Sequence, residues 1–122
     1  MNNHILKGSK DIDIYEVQEF LLFEALLKYE EVMRNIGQKP KVRIVVLENI
    51  SFIDSTGLRC LKEFALRCQK KKIKLVLSGV KPMILKAIKD FGICEFVNEG
   101  CIFENIKIAI KKSEELKLLP NQ

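Results

Sequence analysis

The sequence has no tryptophan, a single histidine and no long apolar run. Its longest uninterrupted apolar stretches are the four residues at 20–23 and the four at 44–47. A helix that crosses a bilayer needs about 20 consecutive apolar residues, so nothing in the chain reads as a membrane span. The N-terminus, Met1-Asn2-Asn3-His4, lacks the basic-then-apolar order of a secretion signal. A histidine-based triad or a multi-histidine metal site could draw only on His4, close to an end where chains commonly fray. Cysteine is sparse and poorly spaced for chemistry: Cys60, Cys68, Cys94 and Cys101 are separated by 8, 26 and 7 residues. Those spacings match neither a zinc knuckle nor a C-x-x-C redox pair. Cys60 and Cys68 fall on one helical pattern, about 12 Å apart along its axis, which is too far for a disulfide. The four read as reduced, mostly buried thiols of a cytoplasmic protein, and no metal is expected.

Other classes fall for similar reasons. Neither G-x-x-x-x-G-K-[ST] nor G-x-G-x-x-G occurs, so dedicated nucleotide chemistry has no motif to rest on. Basic residues are not interleaved with aromatics, which argues against nucleic acid as a partner. What the chain does have is 21 Lys and Arg against 16 Asp and Glu, a net charge of +5 that suits an acidic partner or an anionic membrane leaflet. Its 122 residues suit a single domain that buries about two-thirds of the surface its unfolded chain exposes.

The clearest strand is Val42-Arg43-Ile44-Val45-Val46-Leu47, apolar at nearly every position and β-branched, as expected of a strand covered on both faces. After Ile53-Asp54-Ser55-Thr56-Gly57, the residues Leu58, Leu61, Ala65 and Cys68 recur at steps of three and four and predict an amphipathic helix. Lys70-Lys71-Lys72 closes it as a solvated end, well placed against the negative pole of the helix. A second strand at 73–77 is broken by Ser78-Gly79. Pro82 opens a helix whose apolar face is Ile84, Leu85, Ile88 and Phe91, and Gly92 follows as its C-terminal cap. A short strand at 95–97 and a last helix with Phe103, Ile106, Ala109 and Ile110 facing inward complete a threefold strand–helix alternation. Such alternation implies an α/β layer with a mainly parallel sheet. Upstream, residues 11–17 alternate like a strand with one wet face, and Ala25, Tyr29, Val32, Met33 and Ile36 mark a helix closed by Gly37. Phe20-Leu21-Leu22-Phe23 fits either a short strand or the start of that helix.

The motif Asp54-Ser55-Thr56-Gly57 stands at the start of the amphipathic helix. Asp, Ser and Thr there cap first-turn amides, and that role accounts for the composition by itself. The same position is one of positive potential, where a phosphate on Ser55 or Thr56 would be stabilised and would add nearly two negative charges to a docking surface. As a nucleophile Ser55 has no histidine to activate it, and Asp54 alone is a poor base. The chain therefore reads as a binding module, without catalytic residues.

The stretch Val46-Leu47-Glu48-Asn49-Ile50-Ser51-Phe52-Ile53-Asp54-Ser55-Thr56-Gly57-Leu58 resembles the signature of the STAS domain. The likeness runs on through Lys74-Leu75-Val76-Leu77-Ser78-Gly79-Val80 and Phe91-Gly92-Ile93 to about Ile110. The family covers bacterial anti-anti-sigma factors and the cytoplasmic C-terminal domain of SulP-type anion transporters. The resemblance implies a single small α/β domain over 11–116, with a mixed, mainly parallel sheet and helices packed mainly on one side. A flexible segment at 1–10 and a tail at 117–122 flank it. Phe20-Leu21-Leu22-Phe23-Glu24-Ala25, Tyr29-Glu30-Glu31-Val32 and Gly100-Cys101-Ile102-Phe103 resemble the transporter branch. The Gly-x-Leu-Asp tetrad typical of anti-anti-sigma factors is absent, as is the glycine that often precedes the Leu-Phe-Phe segment, where Val17-Gln18-Glu19 stands.

By resemblance, then, this is the regulatory domain of a sulfate or anion transporter on the cytoplasmic face of the inner (plasma) membrane. Its membrane segments would lie upstream in a longer chain, and Met1 would mark an altered boundary. Its partners would be the membrane-embedded part of that transporter or a cytoplasmic regulator. The alternative is a free-standing anti-sigma factor antagonist, toggled by a kinase at Ser55, the position that the sigma-regulating branch phosphorylates, with Thr56 as the neighbouring fallback. The working edge would comprise Asp54, Ser55, Thr56 and Gly57, with Arg59 and Lys62 one and two turns along the helix. No cofactor is implied, although weak nucleotide binding suggested for some members is compatible with the resemblance.

Overall fold

The computed structural model describes residues 4–7, 10–17, 22–36 and 39–120. In chain order these form β1 (His4–Lys7), β2 (Ile12–Glu16), α1 (Leu22–Ile36), β3 (Val42–Val46), α2 (Ser55–Lys70), β4 (Lys74–Ser78), α3 (Pro82–Asp90), β5 (Ile102–Phe103) and α4 (Ile106–Leu116), with short 3-10 turns at Ile93–Glu95 and Glu99–Cys101. The strands pair in the order β1-β2-β3-β4-β5. β1 runs antiparallel to β2 and every other pair is parallel.

All five residues of β3 are buried, and the register shows how both faces are used. Tyr15, Val45 and Leu77 stand side by side on one face, and Ile14, Ile44 and Val76 on the other. The first face packs against α1, α2 and α3 through Leu26, Tyr29, Leu61, Phe64 and Ile88. The second is covered by α4, where Ala109 is buried and Ile106 and Ile110 pack against it. The sheet is thus mixed and mainly parallel, with three helices on one side and one on the other, as expected. Pro82 at the first turn of α3 and Gly92 in the left-handed conformation after it (φ 83°) sit where their chemistry places them.

The face of the sheet under α1 and α2 carries an unusual cation. Arg43 is buried on β3, its guanidinium 5.1 Å from the Tyr29 ring centre and its Nη1 4.0 Å from Cys68 Sγ. Tyr29 stacks on Tyr15 at 4.4 Å and meets Phe64 edge-on at 5.9 Å. Burial pushes the Tyr29 hydroxyl well above its ordinary range, while Arg43 pulls the other way, so the ring stays neutral. Across the helix pair, Arg67 on α2 grips Glu30 on α1 with both its Nε and Nη2, at 2.7 and 2.6 Å.

Several expectations are corrected. His4–Lys7, assigned from sequence to a flexible leading segment, pairs with β2 as an edge strand. Four residues are too few for a period-2 pattern to declare itself, and it is the open edge of β2 that recruits them. The strand expected at 95–97 is absent. Ile93–Glu95 coils into a 3-10 turn, which lets Ile93 and Val97 both reach the core, and the fifth strand forms later, at Ile102–Phe103. Phe103 therefore belongs to that strand and not to the last helix, which Asn105 caps through Oδ1 to the Ile108 amide at 3.0 Å. β2 has no wet face, since Ile12, Ile14 and Tyr15 bury on both sides. Leu22 and Phe23 start α1, and Phe20 and Leu21 lie outside the described residues. The four cysteines are free thiols. Burial raises the pKa of Cys60, Cys68 and Cys101, which favours the protonated thiol.

Phe64 is fully buried against Tyr29. Phe64→Ala is expected to cost about 3–5 kcal/mol in urea-unfolding experiments, through lost burial and the cavity left behind. Met83→Ala, at a side chain 78% exposed, should stay within about 0.5 kcal/mol.

Candidate functional site

Parallel strands deliver their outgoing loops to one edge of the sheet. The β3–α2 connection (47–54) and the β4–α3 connection (79–81) emerge together there, because Leu47 donates its N–H to Ser78 O at 2.7 Å. On the other flank Val17 N–H bonds Val46 O at 3.1 Å, and Asn49 Nδ2 donates to Val17 O at 3.3 Å.

The first half of the β3–α2 loop is tightly held. Ile50 is buried, with its N–H on Leu47 O at 2.9 Å. Lys81 reaches across from the neighbouring connection and donates its ammonium to the carbonyls of Glu48 and Ile50. Gly79 makes this approach sterically feasible: it sits at φ 71°, and a Cβ there would stand 3.0 Å from Glu48 Cβ. In the second half, Ile53 packs on the core while Phe52 projects outward, 71% exposed.

Asp54 is the helix N-cap. Its Oδ1 accepts the Gly57 N–H at 2.8 Å, and its carbonyl accepts the first helical bond from Leu58 N–H at 2.9 Å. Gly57 is buried, and a Cβ there would meet Ile53 Cγ1 at 3.1 Å and Asp54 Oδ1 at 3.2 Å. The glycine thus lets the cap and the core anchor close on the same turn. Ser55 and Thr56 follow as the first two helical residues, both exposed. Their amides precede the first intrahelical acceptor, so the positive pole of α2 opens at these two hydroxyls. Asp54's carboxylate is committed to the cap, which leaves it poorly placed as a base for Ser55.

Of the six residues singled out from sequence, Asp54, Ser55, Thr56 and Gly57 form this helix entrance. Arg59 lies one turn from Ser55 on the exposed face, at the i,i+4 spacing that allows side chains to meet. Lys62 is directed elsewhere, its ammonium 5.7 Å from the Phe91 ring centre at the end of α3. Sequence reasoning missed Phe52, Lys81 and Met83. Pro82 held the available signal: a proline in the first turn makes Lys81 the cap residue, and a lysine that cannot cap its own helix can bind elsewhere. Among the described residues, no three His, Cys, Asp or Glu side chains gather to hold a metal ion, and no helix is long and apolar enough to cross a membrane.

Because Asp54 satisfies an amide that has no other intrahelical acceptor, Asp54→Ala is expected to lower stability by about 1 kcal/mol. Asp54→Asn, which keeps the accepting oxygen, should lose distinctly less. Urea titrations of the two variants beside the parent chain measure the difference.

The STAS domain family model matches residues 4–109. A sulfate transporter family protein from Wolinella succinogenes has a solved structure with TM-score 0.80 and 30% identity, covering 91% of each chain. The SulP transporter STAS domain from Vibrio cholerae matches with TM-score 0.81 and 24% identity, over 89% of this chain and 85% of that one. RsbS from Moorella thermoacetica, solved as a point variant, shares the fold, with TM-score 0.76 and 21% identity over 98% of this chain and all of that one. Among curated sequences, high affinity sulfate transporter 2 of Stylosanthes hamata is 23% identical over 105 residues, which span 82% of this chain but only 16% of the transporter's length. The family model spans most of the chain, from residue 4 to residue 109, and the chain belongs to the STAS domain family.

Proposed function

We propose that this STAS domain is the regulatory and interaction domain of a SulP-type sulfate or anion transporter, working at the cytoplasmic face of the membrane. On this reading it does not move the anion itself. It controls the transporter by docking its β3–α2 edge on the membrane-embedded part or on a cytoplasmic regulator. The observation that carries the proposal is the construction of that edge. Buried Ile50, the Lys81 bridge and the Asp54 cap hold the loop, while Phe52 and Met83, each more than two-thirds exposed, stand ready as apolar anchors. Exposed aromatic and Met side chains on a pre-ordered frame suit protein docking, where little conformational freedom is lost on binding.

Ser55 is the switch in this proposal, with Thr56 as the alternative acceptor. A phosphate on Ser55 would meet the positive pole of α2 and Arg59 one turn on, and would be repelled by Asp54 on its other side. The added charge would sit beside Phe52 and oppose burial of the edge in a partner. A free-standing anti-sigma antagonist would use the same chemistry, and the RsbS likeness supports that second reading. The 30% identity to a sulfate transporter family protein and the transporter-like segments favour the first.

Two measurements test the proposal. An antibody against this domain should detect, in membranes of the native cell, a species far larger than 14.1 kDa. A freely soluble species of about that mass would instead establish the free-standing form. In the intact parent protein, Phe52→Asp and Ser55→Asp should each weaken the regulatory contact about tenfold or more, about 1.4 kcal/mol, while Ser55→Ala leaves it near the parent value. Unchanged anion uptake in both Asp variants overturns the assignment of this edge.

A further inference from the structure

Parallel strands gather their incoming ends at the pole opposite the loop, and there the chain concentrates positive charge. The start of β2, the start of β3 and the α2–β4 turn lie side by side. Lys41 and Val42 donate their amides to Asp11 O at 2.8 and 3.1 Å, and Lys74 N–H reaches Lys41 O at 2.9 Å. The end of α4 joins them from the second face of the sheet. Lys117 donates its ammonium to Lys10 O, and Lys74 donates its own to Leu119 O, each at 3.2 Å.

Lys10, Lys74 and Lys117 have partners within the chain and tie these segments together. The outward charge comes from Lys39, Lys41, Lys70, Lys71 and Lys72, all exposed. None of these five forms an ion pair among the described residues. Of the nearby carboxylates, Asp11 is half-buried and Glu114 is engaged by Lys117 at 3.0 Å. The negative pole of α2 does not cancel the lysines either. The carbonyls of Arg67, Cys68 and Gln69 already accept the amides of Lys71, Ile73 and Lys72 at 3.0, 2.8 and 3.0 Å. That closing turn holds Lys72 at φ 62°, where a glycine would rest without strain. An apolar element completes the surface: just past α4, Leu118 is 79% and Leu119 54% exposed.

We propose that this pole docks on an anionic lipid leaflet, with the five lysines over the headgroups and Leu118 entering the headgroup boundary. This contact is independent of whatever the β3–α2 edge binds at the other end of α2. The cations belong to separate segments and form a broad face. A folded acidic partner would have to match that arrangement charge by charge, whereas a fluid array of headgroups needs no register. Lysine, a compact and hydrated point charge, suits such a diffuse array, while bidentate recognition of single groups calls for arginine. Protruding leucines beside clustered lysines are the combination that interfacial membrane contacts use. Nucleic acid would call for stacking aromatics among the cations, and this surface is built of lysine and leucine.

Co-sedimentation of the 122-residue chain with vesicles of phosphatidylcholine and phosphatidylglycerol in equal parts tests the proposal. Binding is expected to these vesicles, to fall as salt is raised, and to be absent with phosphatidylcholine alone. Lys41→Gln with Lys71→Gln should lower the partition coefficient tenfold or more, since each lysine near an anionic surface contributes about fivefold. Leu118→Ser should lower it several-fold with the salt dependence unchanged. Lys86→Gln with Lys107→Gln removes the same charge from exposed positions on α3 and at the start of α4, and should stay within about twofold. Equal binding to phosphatidylcholine alone, or no binding to either vesicle, overturns the proposal. An equal loss in the two double variants also overturns it, because net charge would then account for the attraction. Binding to soluble polyglutamate with none to the vesicles overturns it too, and makes this pole a protein contact.

Discussion

The burial of Val42–Val46 on both faces is the constraint on which the other elements depend. A strand with no wet face needs a layer above and a layer below, so helices must cross from one side of the sheet to the other. Crossover connections make neighbouring strands parallel. Parallel strands in turn gather all outgoing loops at one edge and all incoming ones at the other. The Asp54–Gly57 entrance and the closing turn at Lys71 and Lys72 are therefore at opposite poles because of β3, and α2 is the rod of about 24 Å that joins them.

The two ends of α2 solve opposite electrostatic problems. At the start, Asp54 takes up one first-turn amide and leaves those of Ser55 and Thr56 facing outward, so the positive pole is available at the surface. At the finish, Lys71, Lys72 and Ile73 turn back onto the last carbonyls, so the negative pole is largely spent within the chain. One helix thereby presents electropositive character at both ends. Its flank is fixed by the Arg67–Glu30 fork, whose hydrogen bonds raise the Arg67 pKa and hold α1 and α2 in one arrangement. Arg43 beneath them is a buried cation whose guanidinium faces the Tyr29 ring and Cys68. The charge in the core is thus tied to the same helix pair that frames the loop.

Elements defined by many residues in one period were legible from the amino-acid order. β3 declared itself by continuous burial, α2 by its three-and-four spacing, and α3 by Pro82 and Gly92 at its ends. Elements defined by pairing alone were not. β1 has four residues and β5 two, and each exists because a neighbouring strand offers an open edge, a property of the assembled sheet. The turn at Ile93–Glu95 was misread for a related reason: alternating apolar residues can reach a core from a tight turn as well as from a strand. At the site, the capping residues could be read because capping is local in sequence. Lys81 could not, because its acceptors lie 33 and 31 residues away, and Phe52 was hidden among apolar neighbours that do bury.

These placements bear on how a charge at Ser55 could act. A loop that refolds on modification needs a mobile segment with few internal bonds. This one has a buried isoleucine at its centre, a lysine bridge from the adjacent connection, a glycine-dependent backbone contact at Gly79 and a capped helix at its end. Little of it is free to reorganise without breaking several of those bonds together. A phosphate would therefore change the potential and bulk of a fixed surface, with its effect concentrated on whatever faces Phe52 and Arg59. Control of that kind needs no second conformation of the domain. It requires only that the partner bury this edge when Ser55 is unmodified and meet the bulk and charge of a phosphate there when it is not.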